Sequence, residues 1–502
     1  MAGCVARTQP PRPQAADSEL ATALSTAVSR SDVLIVGAGS AGSVVAERLS
    51  GDPGCSVTVL EAGPALADPG LLAQTSNGLQ LPIGVGSPLV QRYQARLTDR
   101  PVRQLPIVRG ATVGGSGAIN GGYFCRGLQR DFDRAAIPGW EWSDVLEHFR
   151  AIETDLDFDG AAHGDSGPIL IRRTHEMTGA TELFLAAAKR AGFPWIPDLN
   201  DCGPESISGV GAVPLNIVDG VRIGSGAGYL IPALERSNLT LLARTRAVRL
   251  RFSGTAAVAV DAIGPEGPMT ITAERIVLCA GAIQTAHLLM LSGVGDEAML
   301  RAAGVPLVAP LPVGMWCMDH PEWVLPTTWT VAAGRPVLEV VLTTADDIEI
   351  RPYTGGFVAM TGDGTAGHPD WPHIGVALMQ PLARGCITLV SADPAVPPQI
   401  AHRYDSVPED VAALRRGSEL ARELASAATY VGEPMWSTSQ HLCGTAPMGA
   451  DGDSRAVVDH RCRVRGIENL WVIDGSILPV ITSRGPHATV VMLGHRAAEF
   501  VE

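Results

Sequence analysis

The segment SDVLIVGAGSAGSVVAERLSGDPGCSVTVLEAG, residues 31–63, contains in order an apolar strand, a glycine-rich turn, a helix and a second strand that ends in an acid. A β-branched apolar run over residues 32–36 predicts the first strand. Gly37, Gly39 and Gly42 supply the tight turn, the close approach to a pyrophosphate and the packing of helix against strand. Because free N–H groups at a helix N-terminus attract anions, the pattern predicts a βαβ dinucleotide-binding unit.

Glu61 directly follows the apolar run 57–60, which predicts the second strand of this unit. An acid at the end of that strand hydrogen-bonds the adenosine ribose hydroxyls and repels a 2′-phosphate, so it disfavours NADP. The segment alone does not distinguish an NAD enzyme from an FAD enzyme. An ordinary glycine turn without a nucleotide is the alternative interpretation.

A second glycine pattern, residues 362–367, fits the same spacing in different surroundings. It is followed by HPDWP, residues 368–372, and the two prolines oppose the start of a helix. We therefore interpret residues 362–367 as a surface loop. Since the second half offers no other dinucleotide turn, we expect no separate NAD site.

Composition is typical of a large globular protein with two or three domains' worth of core, since the 502 residues are 46% hydrophobic and 18% charged. The 38 basic against 52 acidic residues give a net charge of −14. That negative net charge argues against nucleic acid as a partner and disfavours binding to an anionic membrane surface. We find no apolar run long enough for a transmembrane segment.

The nine cysteines are scattered and form no C-x-x-C pair, which fits a reducing compartment. We expect a cytoplasmic protein, with peripheral membrane association left open. No histidine spacing such as H-E-x-x-H occurs, so no metal is expected. Residues 1–30 are rich in Pro, Ala, Ser and Thr and are predicted to be a disordered N-terminal extension; a misassigned start codon explains them equally well.

A second dense glycine segment covers residues 109–122 and contains six glycines. No regular element runs through so many glycines, and the missing Cβ atoms let backbone N–H groups approach a ligand. Asn120 adds a side chain that both donates and accepts hydrogen bonds. The segment predicts a ligand-binding loop, and a flexible loop is the alternative.

Several further motifs follow in one order along nearly the whole chain. They cover residues 113–120, 131–133, 138–140, 281–286, 292–295, 311–314, 319–320, 384–385, 393–394, 441–445 and 474–476. In this order they resemble the glucose-methanol-choline (GMC) oxidoreductases, FAD-dependent enzymes that act mostly on alcohols. Departures include Gly117, where the family usually has a second serine, and Ala286, where it usually has proline.

The resemblance implies an α/β protein with a discontinuous, Rossmann-like FAD-binding domain and an α+β substrate domain with an antiparallel sheet. The FAD-binding domain is predicted to contain residues 31–155, 220–320 and 441–502. The substrate domain is predicted to contain residues 156–219 and 321–440.

The resemblance also implies which residues contact FAD. The matching positions are Gly37, Gly39, Gly42, Glu61, Ser116, Asn120, Gly121, Val248, Asp474, Gly475 and Ala488. Val248 matches a position whose backbone usually touches adenine, and a plain core valine is its alternative. Where some members carry a histidine bonded covalently to the flavin, this loop has Ala118 and Ile119, so we expect non-covalent FAD.

Alcohol oxidation needs a group that removes the hydroxyl proton, and a neutral histidine suits that step near neutral pH. Of the twelve histidines, His441 and His487 stand at family-matching positions. The resemblance implies that His441 is the base and that His487 holds the alcohol oxygen. We interpret His320 as structural, orienting backbone, and His373 as a structural residue that could line the substrate pocket.

The predicted reaction is therefore hydride transfer from an alcohol-type donor to FAD. The chain further resembles the mycofactocin-associated branch of the family, which implies reduced mycofactocin as the donor and a non-oxygen electron acceptor. Two alternatives stay open. A hydroxynitrile-lyase-like member keeps flavin and histidine without net redox chemistry, and an alcohol oxidase passes its electrons to oxygen.

Overall fold

The computed structural model describes residues 30–501, apart from a few short segments. Those outside the description are residues 67, 178, 202, 204–207, 330–333, 362–369, 371 and 426–431, together with 1–29 and 502. The predicted disordered extension, apart from residue 30, and the predicted surface loop at 362–367 therefore lie outside the described residues.

Helices and strands are interspersed along the described residues, and strands outnumber helices in both halves of the chain. The helices are α1 (Ser40–Leu49), α2 (Pro69–Ser76), α3 (Gln129–Ala135), α4 (Trp142–Ile152), α5 (Ala180–Arg190), α6 (Ile231–Ala233), α7 (Gly281–Leu291), α8 (Glu297–Ala303), α9 (Phe357–Thr361), α10 (Pro408–Ala425) and α11 (His487–Ala497). The strands are β1 (Arg30–Val36), β2 (Val57–Leu60), β3 (Val90–Asp99), β4 (Val102–Gly110), β5 (Glu153–Asp155), β6 (Ile169–Ile171), β7 (Trp195–Ile196), β8 (Gly209–Ala212), β9 (Ile217–Val218), β10 (Val221–Arg222), β11 (Leu239–Leu242), β12 (Arg246–Ser253), β13 (Ala256–Gly264), β14 (Gly267–Leu278), β15 (Val294–Gly295), β16 (Ala309–Pro310), β17 (Pro321–Pro326), β18 (Val340–Thr343), β19 (Ile348–Gly356), β20 (Pro372–Leu378), β21 (Cys386–Thr388), β22 (Gln399–Ala401), β23 (Met435–Thr438) and β24 (Leu470–Val472).

The first sheet contains the βαβ unit that the sequence predicts. Strands β11, β2, β1, β14 and β24 lie side by side and parallel, and β14 continues into an antiparallel pairing with β13 and then β12. Val33, Leu34 and Ile35 on β1 are fully buried, as expected for a central parallel strand. Helices α1 and α11 pack against each other. The Rossmann-like part of the fold prediction is confirmed.

The second sheet is antiparallel except at one edge. Its order is β23-β17-β20-β19-β18-β8-β7, with β7 and β8 parallel. Helices α5 and α10 pack on it and bury an apolar core of its own, which includes Phe184, Ile348 and Val376. Every strand of this sheet comes from residues 156–219 or 321–440, which supports the domain division that we propose.

A third, four-stranded sheet joins the two halves of the chain in the order β21-β22-β3-β4. Its β21 and β22 lie within the proposed substrate-domain range, yet β22 pairs with β3 of the other range. Ile387 and Ile400 on this hairpin belong to the core of the first sheet. We therefore propose that the hairpin crosses the domain border. Among the described residues, no helix is long and apolar enough to pass through a membrane.

Candidate active site

The first glycine turn, between β1 and α1, is packed closely against the neighbouring backbone. Gly37 has φ +105°, and a Cβ there would lie 2.5 Å from the Cys279 carbonyl oxygen; a Cβ on Gly42 would lie 2.0 Å from the Gly37 carbonyl oxygen. Packing thus requires both glycines. At Gly39 the nearest protein atom to such a Cβ would be 3.7 Å away. Because nothing in the protein requires glycine at residue 39, its missing side chain leaves room for a ligand.

Glu61, at the end of β2, is buried beside this turn. Its carboxylate accepts hydrogen bonds from the Ala38 N–H at 3.0 Å and from the Gly63 N–H at 2.8 Å. Burial raises the pKa of Glu61 to about 7, although these N–H groups act in the opposite direction. The carboxylate therefore lies beside the first glycine turn, where the predicted ribose contact requires an acceptor.

Val248 lies in an irregularity of β12. Its neighbours Ala247 and Arg249 pair with consecutive residues of β13, Ala262 and Asp261, so that Val248 is the extra residue of a β-bulge. Val248 is half-buried rather than part of the core. A bulge leaves backbone groups outside the ladder, which supports the backbone role that we propose over the plain core valine.

The second glycine segment packs directly on the first. Residues Gly115–Ala118 form a 3-10 turn, and Gly114 and Gly115 have φ of +86° and +54°. A Cβ on Gly115 would lie 2.8 Å from the Gly39 Cα. Ser116 is exposed and its Oγ accepts from the Gly110 N–H at 3.1 Å. The structure thus brings the two predicted ligand-binding segments together.

Asn120 connects this loop to His487. Its Oδ1 accepts from the Gly122 N–H, and its Nδ2 lies 3.0 Å from His487 Nδ1. Because the amide N–H group donates to Nδ1, a neutral His487 carries its ring proton on Nε2. Burial and the nearby Arg222 lower the pKa of His487 to about 4. Neighbouring Gly121 lies against Val337.

The Nε2 of His487 is buried and has no hydrogen-bond partner among the described residues. A buried donor without a partner is costly, so a ligand oxygen at this position would remove a penalty of about 1–3 kcal/mol. This nitrogen is the second local feature, after Gly39, that fits a bound ligand.

His441 lies in the loop after β23 and contacts a residue that sequence reasoning interpreted as merely structural. His441 Nδ1 lies 2.8 Å from Nδ1 of the fully buried His320. Burial lowers the pKa of His441 well below its ordinary value, and His320, Arg351 and Arg109 act in the same direction. His441 is therefore neutral at physiological pH, as a general base must be.

The loops that carry His441 and His487 meet. A Cβ on Gly485, which lies two residues before His487, would be 3.3 Å from His441 Cε1 and 3.1 Å from Tyr123 Cδ1. These residues are far apart in the sequence, so the fold alone creates this proximity. His373, by contrast, is half-buried at the start of β20, where it pairs with Pro326.

Asp319 is a site residue to which the sequence assigned no role. Its Oδ1 accepts from the backbone N–H groups of His320 and His441, and its Oδ2 accepts from Tyr404 and Thr438. Burial alone would raise the pKa of Asp319, but His402 and the two hydroxyl donors hold it below its usual range. In the sequence, the indication that Asp319 belongs to the site was its place beside His320 in a family-matching motif.

Asp474, after β24, uses its carboxylate within the protein. Oδ2 accepts from the Gly281 N–H at 2.8 Å and from Thr285 Oγ1 at 2.6 Å, at the N-terminus of α7. Oδ1 accepts from the N–H and the hydroxyl of Ser476. Four accepted hydrogen bonds occupy the lone-pair sites of the carboxylate, so a ligand contact at Asp474 would be made by its backbone.

Gly475 and Ala488 lie close to the N-terminus of α11. Gly475 begins a 3-10 turn, and a Cβ there would be 3.5 Å from Val490 Cγ2. Ala488 is fully buried in the first turn of α11. The turn after β24 and the first turn of α11 therefore lie next to each other.

The described residues contain one group with metal-ligand geometry, outside this site. It consists of Glu153, Asp155 and His163. Although burial disfavours its charge, hydrogen bonds to Asp155, Asp198 and Glu153 raise the pKa of His163 to about 11. Protonated His163, with Arg126 and Arg173, balances the three carboxylates, so the cluster has no excess negative charge for a cation.

The Rossmann-like sheet, the two interlocking glycine segments and the antiparallel second sheet together define the two-domain fold of a flavin-dependent oxidoreductase. The sequence matches the GMC oxidoreductase family over residues 31–322 in its N-terminal part and over residues 381–494 in its C-terminal part. The chain belongs to the GMC oxidoreductase family, whose members bind FAD. The family resemblance drawn from the motifs is confirmed.

Relatives cover nearly the whole chain. An uncharacterized GMC-type oxidoreductase of Rhodococcus erythropolis is 41% identical over 496 residues, which cover 93% of this chain and 97% of the relative. An oxygen-dependent choline dehydrogenase of Brucella anthropi is 31% identical over 535 aligned positions, which cover 94% of this chain and 95% of the relative.

Solved structures share the fold. Pyridoxine 4-oxidase from Mesorbium loti superimposes with a TM-score of 0.83 at 26% identity and covers 93% of this chain and 98% of its own. Formate oxidase superimposes with a TM-score of 0.83 at 23% identity and covers 95% and 99%. The second likeness shows the common fold alone.

Proposed function

We propose that this GMC oxidoreductase oxidises an alcohol-type donor, with His441 as the base that takes the hydroxyl proton. The observation that carries the proposal is the neutral His441 imidazole, held through Nδ1 and lying beside the turn that leads to His487. When bound, FAD would accept the hydride of the donor carbon at its N5 atom. A positioned base of this kind contributes about 10²- to 10⁴-fold to the rate.

The residues that would hold FAD lie along the two glycine segments and the ends of the first sheet. They are Gly37, Gly39, Gly42, Glu61, Ser116, Asn120, Gly121, Val248, Asp474, Gly475 and Ala488. The open space at Gly39 and the buried Glu61 carboxylate fit the group. The loop offers Ala118 and Ile119 where a covalent attachment would need a nucleophile, so we propose non-covalent binding.

His487 would hold the donor oxygen. Its Nδ1 accepts from Asn120, so the proton on Nε2 is the one available to a substrate. A hydrogen bond from this nitrogen would orient the hydroxyl group and stabilise negative charge that develops on oxygen as the proton leaves. His441 and His487 would thus act on one hydroxyl group, as base and as donor.

The names of two relatives, choline dehydrogenase and pyridoxine 4-oxidase, support an alcohol-type donor. The particular donor that we propose is reduced mycofactocin, and the electrons would pass to a non-oxygen acceptor. Both rest on the sequence resemblance to the mycofactocin-associated branch. The relatives named as oxygen-dependent and as an oxidase favour oxygen as the competing acceptor.

The decisive experiment is an anaerobic screen of alcohol donors, including reduced mycofactocin, followed at the flavin absorbance. The correct donor should bleach the flavin, and His441→Ala should slow the bleaching by about 10²-fold or more. His175→Ala is the matched control, because His175 is exposed and bonds only to Asp157 among the described residues.

The outcomes separate the three functions. Bleaching that persists until an artificial acceptor is added, and is not reversed by air, supports a dehydrogenase. Rapid reoxidation by air indicates an oxidase. Cleavage of a hydroxynitrile while the flavin stays oxidised would establish the lyase and reject the proposal, as would unchanged bleaching in His441→Ala.

A further inference from the structure

A short chain of hydrogen bonds runs behind His441. His320 is fully buried, and its Nε2 lies 3.0 Å from the Thr482 carbonyl oxygen. Its Nδ1 lies 2.8 Å from His441 Nδ1. The two rings meet edge to face, with centroids 5.0 Å apart. Three segments that are distant in the sequence therefore converge on one ring.

The carbonyl fixes the protons in this chain. A carbonyl oxygen only accepts, so His320 Nε2 must carry a hydrogen. Burial and the charge of Arg351 lower the pKa of His320 to about 4, which keeps the ring neutral and its Nδ1 unprotonated. That Nδ1 is therefore an acceptor, and His441 Nδ1 must be the donor.

We propose that His320 is a positioning residue, which holds His441 in the tautomer with hydrogen on Nδ1 and leaves Nε2 as the nitrogen that takes the substrate proton. This inference rests on the proposed function of His441 as base. In the proton step the donor O–H bond breaks, its electron pair stays on oxygen, and the proton bonds to Nε2. His441 then carries a positive charge while its Nδ1–H still donates to His320.

The hydrogen bond between the two rings orients the His441 imidazole and is not needed to hold the loop that carries it. The backbone of His441 is already fixed, because its N–H donates to Asp319 Oδ1 at 2.7 Å. The same oxygen accepts from the His320 N–H at 2.9 Å. With both backbones held by Asp319, the His320 ring is left to determine how the His441 ring is turned and where its proton lies.

Two variants of His320 distinguish the loss of its hydrogen bonds from the loss of its volume. His320→Gln keeps an N–H for Thr482 and an oxygen that accepts from His441, whereas His320→Phe fills similar space without either group. We expect the rate of anaerobic flavin reduction to fall on the order of 10²-fold in the Phe variant, with KM little changed. The Gln variant should recover at least about tenfold of that loss.

The pH profile adds a measurement that a purely structural role would not move. The charged groups that face the two rings are Asp319, Glu349, Arg351 and Arg109. Only a protonated His320 would repel protonated His441; near neutral pH the His320 ring is neutral and accepts the Nδ1–H of His441. The Phe variant lacks that acceptor, so the acid limb of its reduction rate should shift to lower pH. In the Gln variant the limb should stay close to that of the parent enzyme.

A spectroscopic measurement tests the tautomer without turnover. In ¹⁵N-histidine-labelled holoenzyme, the signals lost in His441→Ala identify this ring. The parent and the Gln variant should show a protonated Nδ1 and an unprotonated Nε2, and the Phe variant should show a mixture. His287→Gln, a buried substitution on α7 outside the site, should change neither the rate of flavin reduction nor the signals of the His441 ring.

Equal rates in the Gln and Phe variants, or a hydrogen on Nε2 in the parent enzyme, would overturn the positioning role. The failure of the proposed function looks different. If His441→Ala reduces flavin at the parent rate, His441 is not the base, whatever His320 does. If His441→Ala is slow while His320→Phe equals the parent, only the positioning role fails.

Discussion

His487 occupies the space that a side chain at residue 117 would need. A Cβ on Gly117 would lie 2.5 Å from His487 Nε2 and 2.9 Å from Ser40 Oγ. The serine that the family usually has at this position would place its Cβ less than 3 Å from both side chains in this structure.

Gly117→Ser should displace the His487 ring and break its bond to Asn120. Because the ring would no longer be held for the donor oxygen, we expect anaerobic flavin reduction to slow by about 10- to 100-fold. His487→Asn is the partner variant, because it removes the imidazole ring that a Cβ at residue 117 would meet. In the His487→Asn background, Gly117→Ser should lower the rate of flavin reduction by less than about threefold. Equal effects of Gly117→Ser in both backgrounds would show that the two residues are independent.

Glu61 yields a prediction about the cofactor rather than the reaction. Its charged form is the better acceptor for hydroxyl donors, and burial raises its pKa to about 7. FAD affinity of the apoprotein should therefore rise as the pH increases through about 7. Glu61→Gln should bind FAD about 10- to 100-fold more weakly and with a flat pH dependence, as measured by fluorescence titration. A parallel pH dependence in both proteins would contradict a ribose contact at this residue.

The non-covalent flavin is a third prediction. Acid precipitation or heating of the purified holoenzyme should release FAD into the supernatant, because Ala118 and Ile119 offer no side chain for a covalent bond. The released flavin should have the absorbance and chromatographic mobility of authentic FAD. Flavin that stays with the denatured pellet would refute non-covalent binding.

The sequence predicted the parts of the site whose chemistry is local. The glycine turn, α1 and β2 follow from spacing within one segment, and the structure contains all three. The bulge at Val248 depends on pairing with another strand, so no local pattern indicates it. The role of His320 depends on contacts with Thr482 and His441, which lie more than a hundred residues away. Ring orientation in a folded core is a tertiary property, and sequence patterns carry little information about it.

The hairpin that we propose to cross the domain border could not be placed from the sequence for a similar reason. The hairpin of β21 and β22 lies within the stretch 321–440, which the family motifs assigned to the substrate domain. Its strand β22 pairs with β3, and Ile387 faces the first core. Alternating apolar residues predict a strand but not its partner, because strand pairing is decided by distant segments.

The buried histidines should make the holoenzyme sensitive to acid. His320 has its pKa lowered from 6.5 to about 4, mainly by burial, so the folded protein keeps it neutral while the unfolded chain binds a proton below pH 6.5. Its contribution to stability is therefore present above about pH 6.5 and is lost as the pH falls towards 4. Over that window this residue should lower the free energy of unfolding by up to about 1.4 kcal/mol per pH unit.

Urea unfolding of the holoenzyme between pH 7 and pH 4.5 measures this effect by comparison with His320→Gln. The variant should show a shallower pH dependence, by about one proton, because the glutamine does not titrate. Glu61 works in the opposite sense, since its raised pKa favours the folded state as the pH falls from about 7 towards 4.5. Its contribution is common to both proteins and cancels in the difference. Identical slopes for the two proteins would mean that His320 titrates alike in the folded and unfolded states, which would contradict the lowered pKa that burial gives it.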